Sequence, residues 1–358
     1  MYPKETKYYI RPFGYISNSQ SKLLLKNKKA LKINGVAFNS IELIKKKGGK
    51  ISKACYAVDH FFERIIKKNK KLEILAKNLI TNSKNFLNSN KFSKKNKTLI
   101  FSILNITPDS FSDGGDNLYL KDSFNSAKKM AEDGADFIDI GGESTRPGSE
   151  MVLPADEAIR VLPIIQKLSS KKFKISLDTR NSSTMELGLL SGVNIINDVS
   201  ALMNDPKSIE IVKKYNVPII LMHMPGTPQT MMKKNKYKNV VLEVYDFLEE
   251  RIKYCESNGI KRKNLIIDPG IGFGKDFNQN VEILNNLSIF HSLSCSIMLG
   301  ISRKRFISSI SKEDNPKMRL GGTISATILA MMQGVKIHRV HDVKQVNQAL
   351  KVFEKLNS

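Results

Sequence analysis

From residue 98 onward, short β-branched apolar runs alternate with segments of helical periodicity, and this alternation leaves few folds open. The runs are TLIFSIL (98–104), DFIDI (136–140), FKISL (173–177), VNIIN (193–197), VPIILM (217–222), NLIID (264–268), SIMLGI (296–301) and VKIHRV (335–340). Between them lie amphipathic stretches such as DSFNSAKKMAEDGA, PADEAIRVLPIIQKLSS and NVVLEVYDFLEERIKYCESNG. Strands that read as unbroken apolar runs are buried on both faces, as parallel strands covered by helices are. Eight such units in the 261 residues after Lys97 (358 − 97) are what a (β/α)8 TIM barrel requires. An open doubly wound sheet is the competing fold. The count of eight and the lack of a GxGxxG turn favour the barrel.

Each run also ends in residues able to bind or activate a ligand. In chain order these are Asn105 with Thr107 and Asp109, Asp139 with Thr145 and Arg146, Asp178 with Thr179, Asn197 with Asp198, Met222 with His223, Asp268, Ser302 with Arg303 and Lys304, and Arg339 with His341. In a closed barrel the C-terminal strand ends meet on one face, where active sites of this fold sit. The second run is the richest, because FIDIGGESTRPG (137–148) leads from a buried strand into a loop with a carboxylate, two hydroxyls, a guanidinium and a proline. Arg146 offers a planar fork for carboxylate or phosphate, and Pro147 stiffens the loop.

Residues 1–96 form a separate unit ahead of a barrel domain spanning 97–358. KYYIRPFGYI (7–16) reads as β structure, and 30–49 as a strand or two followed by a short helix ending at Gly48. Residues 57–80 read as an amphipathic helical region, and 81–97, rich in Asn, Ser and Lys, as a linker carrying the aromatic pair Phe86 and Phe92. The whole is therefore a TIM barrel with an N-terminal α+β extension. Charge divides the same way. Residues 1–97 carry 24 Lys+Arg against 5 Asp+Glu, a net of +19, which leaves +5 of the total +24 for the rest. The excess is mostly Lys, 47 of 58 basic residues, so it reads as a solvated surface and argues against nucleic-acid binding. No apolar run reaches membrane-spanning length. Cys55, Cys255 and Cys295 stand far apart with no CxxC, which fits a reducing cytoplasm rather than a disulfide framework or a zinc site.

The motifs SILNITPDSFSDGG (102–115), DIGGESTRPG (139–148), SLDTR (176–180), IINDV (195–199), LMHMPGTPQTM (221–231), IIDPGIGFGK (266–275), GISRKRFI (300–307) and RVHDV (339–343) together resemble dihydropteroate synthase, the folate-pathway family targeted by sulfonamides. The resemblance runs from about Thr98 to the C-terminus, and the YYIRPFGYI opening is similar to an extension of some bacterial members. It implies a transferase that joins 4-aminobenzoate to 6-hydroxymethyl-7,8-dihydropterin diphosphate, releasing pyrophosphate and giving 7,8-dihydropteroate. Asp139, Asp178, Asn197 and Asp268 would bind the pterin, with Met222 and Phe273 as apolar walls and Lys304 as donor. Asn105, Thr145, Arg146, Arg339 and His341 would hold the diphosphate, with Asn105 supplying one oxygen to Mg2+. Phe111, Thr145, Pro147, Phe273, Ser302 and Lys304 would line the aminobenzoate pocket. The catalytic set would be Asn105, Lys304, Arg339 and His341.

An arylamine is uncharged near pH 7 and needs no general base for attack. The implied chemistry is thus an SN1-like displacement, with the loops 105–116 and 141–150 closing to exclude water. A homodimer through outer helices near the C-terminus also follows from the resemblance. A pterin-binding methyltransferase would share the Asp and Asn positions, but the TPDSFSDGG and STRPG loops and the SRK and RVH motifs speak for a diphosphate substrate. His223 reads as a core histidine bonded to backbone or as a site residue. Arg180, Arg303 and Arg305 read as phosphate steering or exterior charge, and Asp109 and Asp113 as loop caps or ligands.

Overall fold

The computed structural model describes residues 5–80, 86–89, 97–106, 115–144 and 148–357. Eight parallel strands close into a barrel: β5 (Leu99–Asn105), β6 (Phe137–Gly141), β7 (Ile175–Asp178), β8 (Ile195–Asp198), β9 (Ile219–Met222), β10 (Leu265–Asp268), β11 (Ser296–Gly300) and β12 (Ile337–Val340). β12 pairs with β5 from Ile337↔Leu99 to Val340↔Ser102, which closes the ring. Helices such as Pro154–Ser170, Val240–Ser257 and Val343–Leu356 surround it. The strands coincide with the eight apolar runs to within two or three residues at each end.

The pleat sorts the strand side chains into two sets. Outward residues such as Ile138, Ile140, Leu177, Ile196, Leu221, Ile267 and Leu299 pack in the main core under the helices. Inward residues form layers. The lower layer is apolar: Leu99, Phe101, Phe137, Ile195, Ile220, Ile266, Met298 and Ile337 cluster together, with the Phe101 and Phe137 rings stacked at 4.6 Å. Two residues further along four of the strands the inward set turns polar: Asp139 follows Phe137, Asn197 follows Ile195, Asp268 follows Ile266 and Arg339 follows Ile337.

In the stretch read as a linker, Phe86–Ser89 makes one helical turn whose Phe86 and Leu87 are fully buried in that lower layer. Leu87 N donates to Ser296 Oγ at 3.1 Å. The turn plugs the N-terminal end of the barrel, which a plain linker would leave open to water. Phe92 lies outside the described residues.

The N-terminal extension is a four-stranded antiparallel sheet with helical segments. Its strands are β1 (Lys7–Ile16), β2 (Leu31–Ile33), β3 (Val36–Lys47) and β4 (Lys50–Ala57). The expected short helix ending at Gly48 is absent; that sequence is instead the second half of β3. Two-residue turns decide the outcome. Asn34-Gly35 (φ +47 and +87) joins β2 to β3, and Gly48-Gly49 (φ +53 and +86) joins β3 to β4 through the closing pair Lys47↔Lys50. Positive φ at both central positions matches the right-handed twist of a hairpin, and this outweighs the helix-like spacing of IELIKKK. Residues 57–80 are helical but broken, with short turns over 58–68 before the helix Lys70–Ile80. Leu72, Ala76 and Leu79 of that helix cover one face of the sheet with Phe61 and Val58.

The other face docks on the barrel wall. Tyr9 is buried edge-on against Tyr245, and its hydroxyl donates to Asp246 at 2.8 Å. Ser288 Oγ donates to Pro12 O at 2.6 Å, and Asn34 Nδ2 to Gly334 O at 2.9 Å. Among the described residues no helix is long and apolar enough to cross a membrane.

Candidate active site

Strand register assembles the site. A hydrogen-bonded row runs round the rim from Asn105 to Gly141, Asp178 and Asn197, each residue opposite the next. Asp268 stands opposite Met222, and Arg339 opposite Gly300. A Cβ on Gly141 would sit 3.8 Å from both Asn105 Oδ1 and Asp178 Oδ2, so glycine there lets these two groups share one space.

Arg339 is the central cation. Its Nε donates to Asp139 Oδ2 at 2.5 Å and its Nη2 to Asp178 Oδ2 at 2.8 Å. Asn197 Nδ2 donates to Asp139 Oδ2 at 3.3 Å. Asp178 Oδ1 is buried and has no hydrogen-bond partner among the described residues. A buried acceptor without a donor is costly, and such a group marks a place where a ligand N–H would be bound. Burial raises the Asp178 carboxyl above its ordinary range, while the Arg339 guanidinium pulls it back down. Burial likewise raises Asp268, against the pull of Lys304.

Lys304 enters from the loop after β11. Its Nζ donates to Ile271 O and lies 4.3 Å from the centre of the Phe273 ring. Burial pushes its pKa down to about 8, with Asp268 opposing the fall. Phe273 packs against the apolar cluster of Val199, Met222, Met224 and Met231. Polar groups and an apolar wall thus line the same mouth, Met222 standing beside Asp268 in register, as a flat heteroaromatic ligand requires. Beside them Ser302 Oγ lies 3.1 Å from His341 Nδ1 and accepts from His341 N at 3.2 Å.

The structure brings together Asn105, Asp139, Asp178, Asn197, Met222, Asp268, Phe273, Ser302, Lys304, Arg339 and His341. Phe111, Thr145, Arg146 and Pro147, with Thr107, Asp109 and Asp113, lie outside the described residues. The strand-end neighbours divide by the pleat, because consecutive residues cannot both face the lumen. Asp178 points in while Thr179 points out to Glu157 Oε2 at 2.8 Å. Asn197 points in while Asp198 caps its own loop through Ser200 N at 2.7 Å and Leu202 N at 2.8 Å. Met222 points in while His223 points out, 2.9 Å from Lys275 Nζ and edge-on to Phe247. His223 is therefore a core histidine, its Nδ1 against the Lys275 amine.

Two of the three arginines read as steering or exterior charge are engaged elsewhere. Arg180 is buried in a two-pronged pair with Glu143 at 3.0 and 2.8 Å, and Arg303 Nε donates to Asp342 at 2.9 Å. Arg305 is exposed. Glu143 also accepts from Val152 N at 3.2 Å, so the pair ties Glu143 and Val152 to the chain just past the end of β7. Sequence reasoning gave no role to Glu143, Glu157 or Lys275. The only signal was the place of Glu143 and Lys275 inside the quoted motifs; Glu157 stood in an ordinary amphipathic helical stretch.

Among the described residues no cluster of three or more His, Cys, Asp or Glu could hold a metal ion. Asn105 is exposed at the end of β5, beside the acidic row. One neutral oxygen at an open rim fits Mg2+, which keeps waters and takes phosphate oxygens rather than filling a protein cage.

Residues 101–341 match the sequence profile of a family described as pterin binding enzyme. A dihydropteroate synthase of Escherichia coli K12 is 40% identical over 256 residues, covering 71% of this chain and 90% of the relative. Solved structures agree. The Xanthomonas albilineans dihydropteroate synthase with 4-aminobenzoic acid has a TM-score of 0.69 at 39% identity, covering 73% of this chain and 94% of that one. The same organism's enzyme in complex with 7,8-dihydropteroate has a TM-score of 0.66 at 36% identity, with coverage of 73% and 94%. The profile match begins inside β5, so the 96-residue extension lies ahead of it. The chain belongs to the pterin binding enzymes and, within them, to the dihydropteroate synthase family.

Proposed function

We infer that this chain condenses 6-hydroxymethyl-7,8-dihydropterin diphosphate with 4-aminobenzoate, giving 7,8-dihydropteroate and pyrophosphate. The observation that carries the reading is the unpaired Asp178 Oδ1 within a buried row of acceptors, Asp139, Asp178, Asn197 and Asp268, in a chain of this family. A pterin presents its 2-amino and ring N–H groups side by side, and a carboxylate accepts both. Asp178 and Asp268 take those donors. The Asn197 amide supplies the mixed donor and acceptor edge, and Met222 and Phe273 supply the apolar wall against the ring. The Lys304 ammonium donates to the pterin carbonyl or ring nitrogen.

The displacement breaks the bond between the pterin methylene carbon and the diphosphate oxygen, and the electron pair leaves with pyrophosphate. The 4-aminobenzoate nitrogen attacks the methylene carbon and then loses a proton. Charge grows on the leaving group, so donors aimed there lower the barrier. Arg339, 20% exposed at the mouth, His341 and Asn105 supply them from the barrel, with Thr145 and Arg146 from the loop after β6. Mg2+ held through Asn105 supplies further charge to the diphosphate when bound. Ser302, Phe111 and Pro147 complete the aminobenzoate pocket.

The free state of Cys55, Cys255 and Cys295 supports a reducing compartment, the cytoplasm. The apolar outer side of helix Leu320–Met332, where Leu329 is exposed, supports a homodimer that size-exclusion chromatography with light scattering would detect. Incubating the purified chain with Mg2+ and both substrates, and assaying for 7,8-dihydropteroate by mass spectrometry, tests the function. Product that requires both substrates is expected, and its absence from active, pterin-binding protein would overturn the reading.

A further inference from the structure

We propose that Lys275 is a positioning residue for the pterin end of the site: its amino group ties the 268–275 loop into the shape that lets Ile271 and Phe273 hold the Lys304 head beside Asp268. The inference deepens the reading above and rests on it. Lys275 is only 3% exposed. A lysine is tolerated at such depth when every N–H finds an acceptor. Burial pushes the Lys275 pKa well below its usual value, Asp268 opposing the fall, and as an ammonium its three N–H groups find three acceptors in range: Gly270 O at 2.8 Å, Phe273 O at 2.9 Å and His223 Nδ1 at 2.9 Å, with His223 O further off at 3.4 Å. Burial holds the His223 ring well below its usual pKa, hence neutral and able to accept.

The loop needs such a tie. Gly270, Gly272 and Gly274 all have positive φ (+70, +80 and +56), so no regular ladder satisfies its backbone. Side chains substitute for one. Gly270 N donates to Asp268 Oδ1 at 2.7 Å, Gly272 N to Asn280 Oδ1 at 2.7 Å, and Tyr237 OH to Gly274 O at 3.1 Å. Lys275 takes the Gly270 and Phe273 carbonyls. Of the carbonyls between, Ile271 O is turned to Lys304 Nζ, and the Phe273 ring sits beside the same ammonium. Lys275 works from behind the loop, where a Cβ on Gly270 would lie 2.0 Å from His223 O. An apolar side chain of equal length would fill the volume, leave Phe273 O without a donor and leave Gly270 O with only the Phe273 N–H at 3.1 Å.

The test compares the full-length protein with Lys275→Met and Lys275→Gln, using calorimetric titration with 6-hydroxymethylpterin from pH 7 to 10 and steady-state kinetics alongside. Lys275→Met is expected to weaken pterin binding about tenfold or more, as an ångström-scale misplacement does. It is also expected to move the alkaline limb of binding upward from about 8, because a loosened loop rehydrates Lys304. Lys275→Gln, which keeps two donors, falls between and carries the comparison if Lys275→Met does not fold. A purely structural role would lower the folded fraction but leave the affinity and the limb of the folded protein in place. Affinity within twofold of the parent and an unmoved limb would overturn the proposal. Failure of the parent itself to bind pterin or turn over would instead remove the functional reading.

Discussion

Phe86→Ala tests whether the turn beneath the barrel is part of its core. Phe86 is fully buried among Leu99, Phe101, Phe137, Ile195, Ile220, Ile266, Met298 and Ile337, contributed by seven of the eight strands. Removing a ring from such a site loses its transfer energy and leaves a cavity that β-strands cannot collapse to fill. The expected cost is ~3–5 kcal/mol. An unfolding entropy of about 2.1 cal/mol/K per residue gives roughly 0.75 kcal/mol/K for 358 residues, so the midpoint should fall by about 4–7 °C. Differential scanning calorimetry reads this directly, with Ile74→Ala, at a half-exposed position on the extension, as a control expected to shift the midpoint by under about 1 °C. A Phe86→Ala midpoint indistinguishable from that control would refute the plug and return residues 81–97 to the status of a tether.

Two further outcomes follow from buried charges. Lys304 donates as an ammonium and burial brings its pKa down to about 8, while burial raises the accepting Asp178 carboxyl to about 7, so kcat/KM for the pterin substrate should fall as pH rises through the first value and fall again as pH drops below the second. A pH–rate profile level to pH 10 would contradict this. Arg180→Met strands the Glu143 carboxylate, whose side chain is 4% exposed, and should cost ~3–5 kcal/mol by urea unfolding. Arg180→Met/Glu143→Leu should recover most of that loss, and a single variant as stable as the parent would remove the tie.

Much of this architecture is legible in the sequence because the barrel repeats one physical pattern. Apolar runs announce strands buried on both faces, and the pleat then fixes which of the terminal residues face the lumen. Asp139, Asn197, Asp268 and Arg339 are each two positions past a lower-layer apolar residue, so the period of two could have separated them from Thr179, Asp198 and His223. What escaped depends on contacts distant in sequence. Arg180 resembles a steering cation until Glu143, 37 residues away, is brought against it. Lys275 resembles solvated charge until two loop carbonyls and a histidine close round it. Phe86 sits in a stretch whose Asn, Ser and Lys content conceals one apolar pair of neighbours, Phe86 and Leu87. In the extension, IELIKKK carries helical spacing, and the Gly48-Gly49 turn settled the matter by offering a hairpin partner.

Pyrophosphate release from the pterin diphosphate, with Mg2+ and with or without 4-aminobenzoate, tests the central claim most directly. The account predicts release that depends on aminobenzoate and collapses in Lys304→Ala, which loses the pterin donor, and in Arg339→Ala, which loses the cation between Asp139 and Asp178. Intact protein that binds pterin yet releases no pyrophosphate, or variants that turn over like the parent, would contradict it.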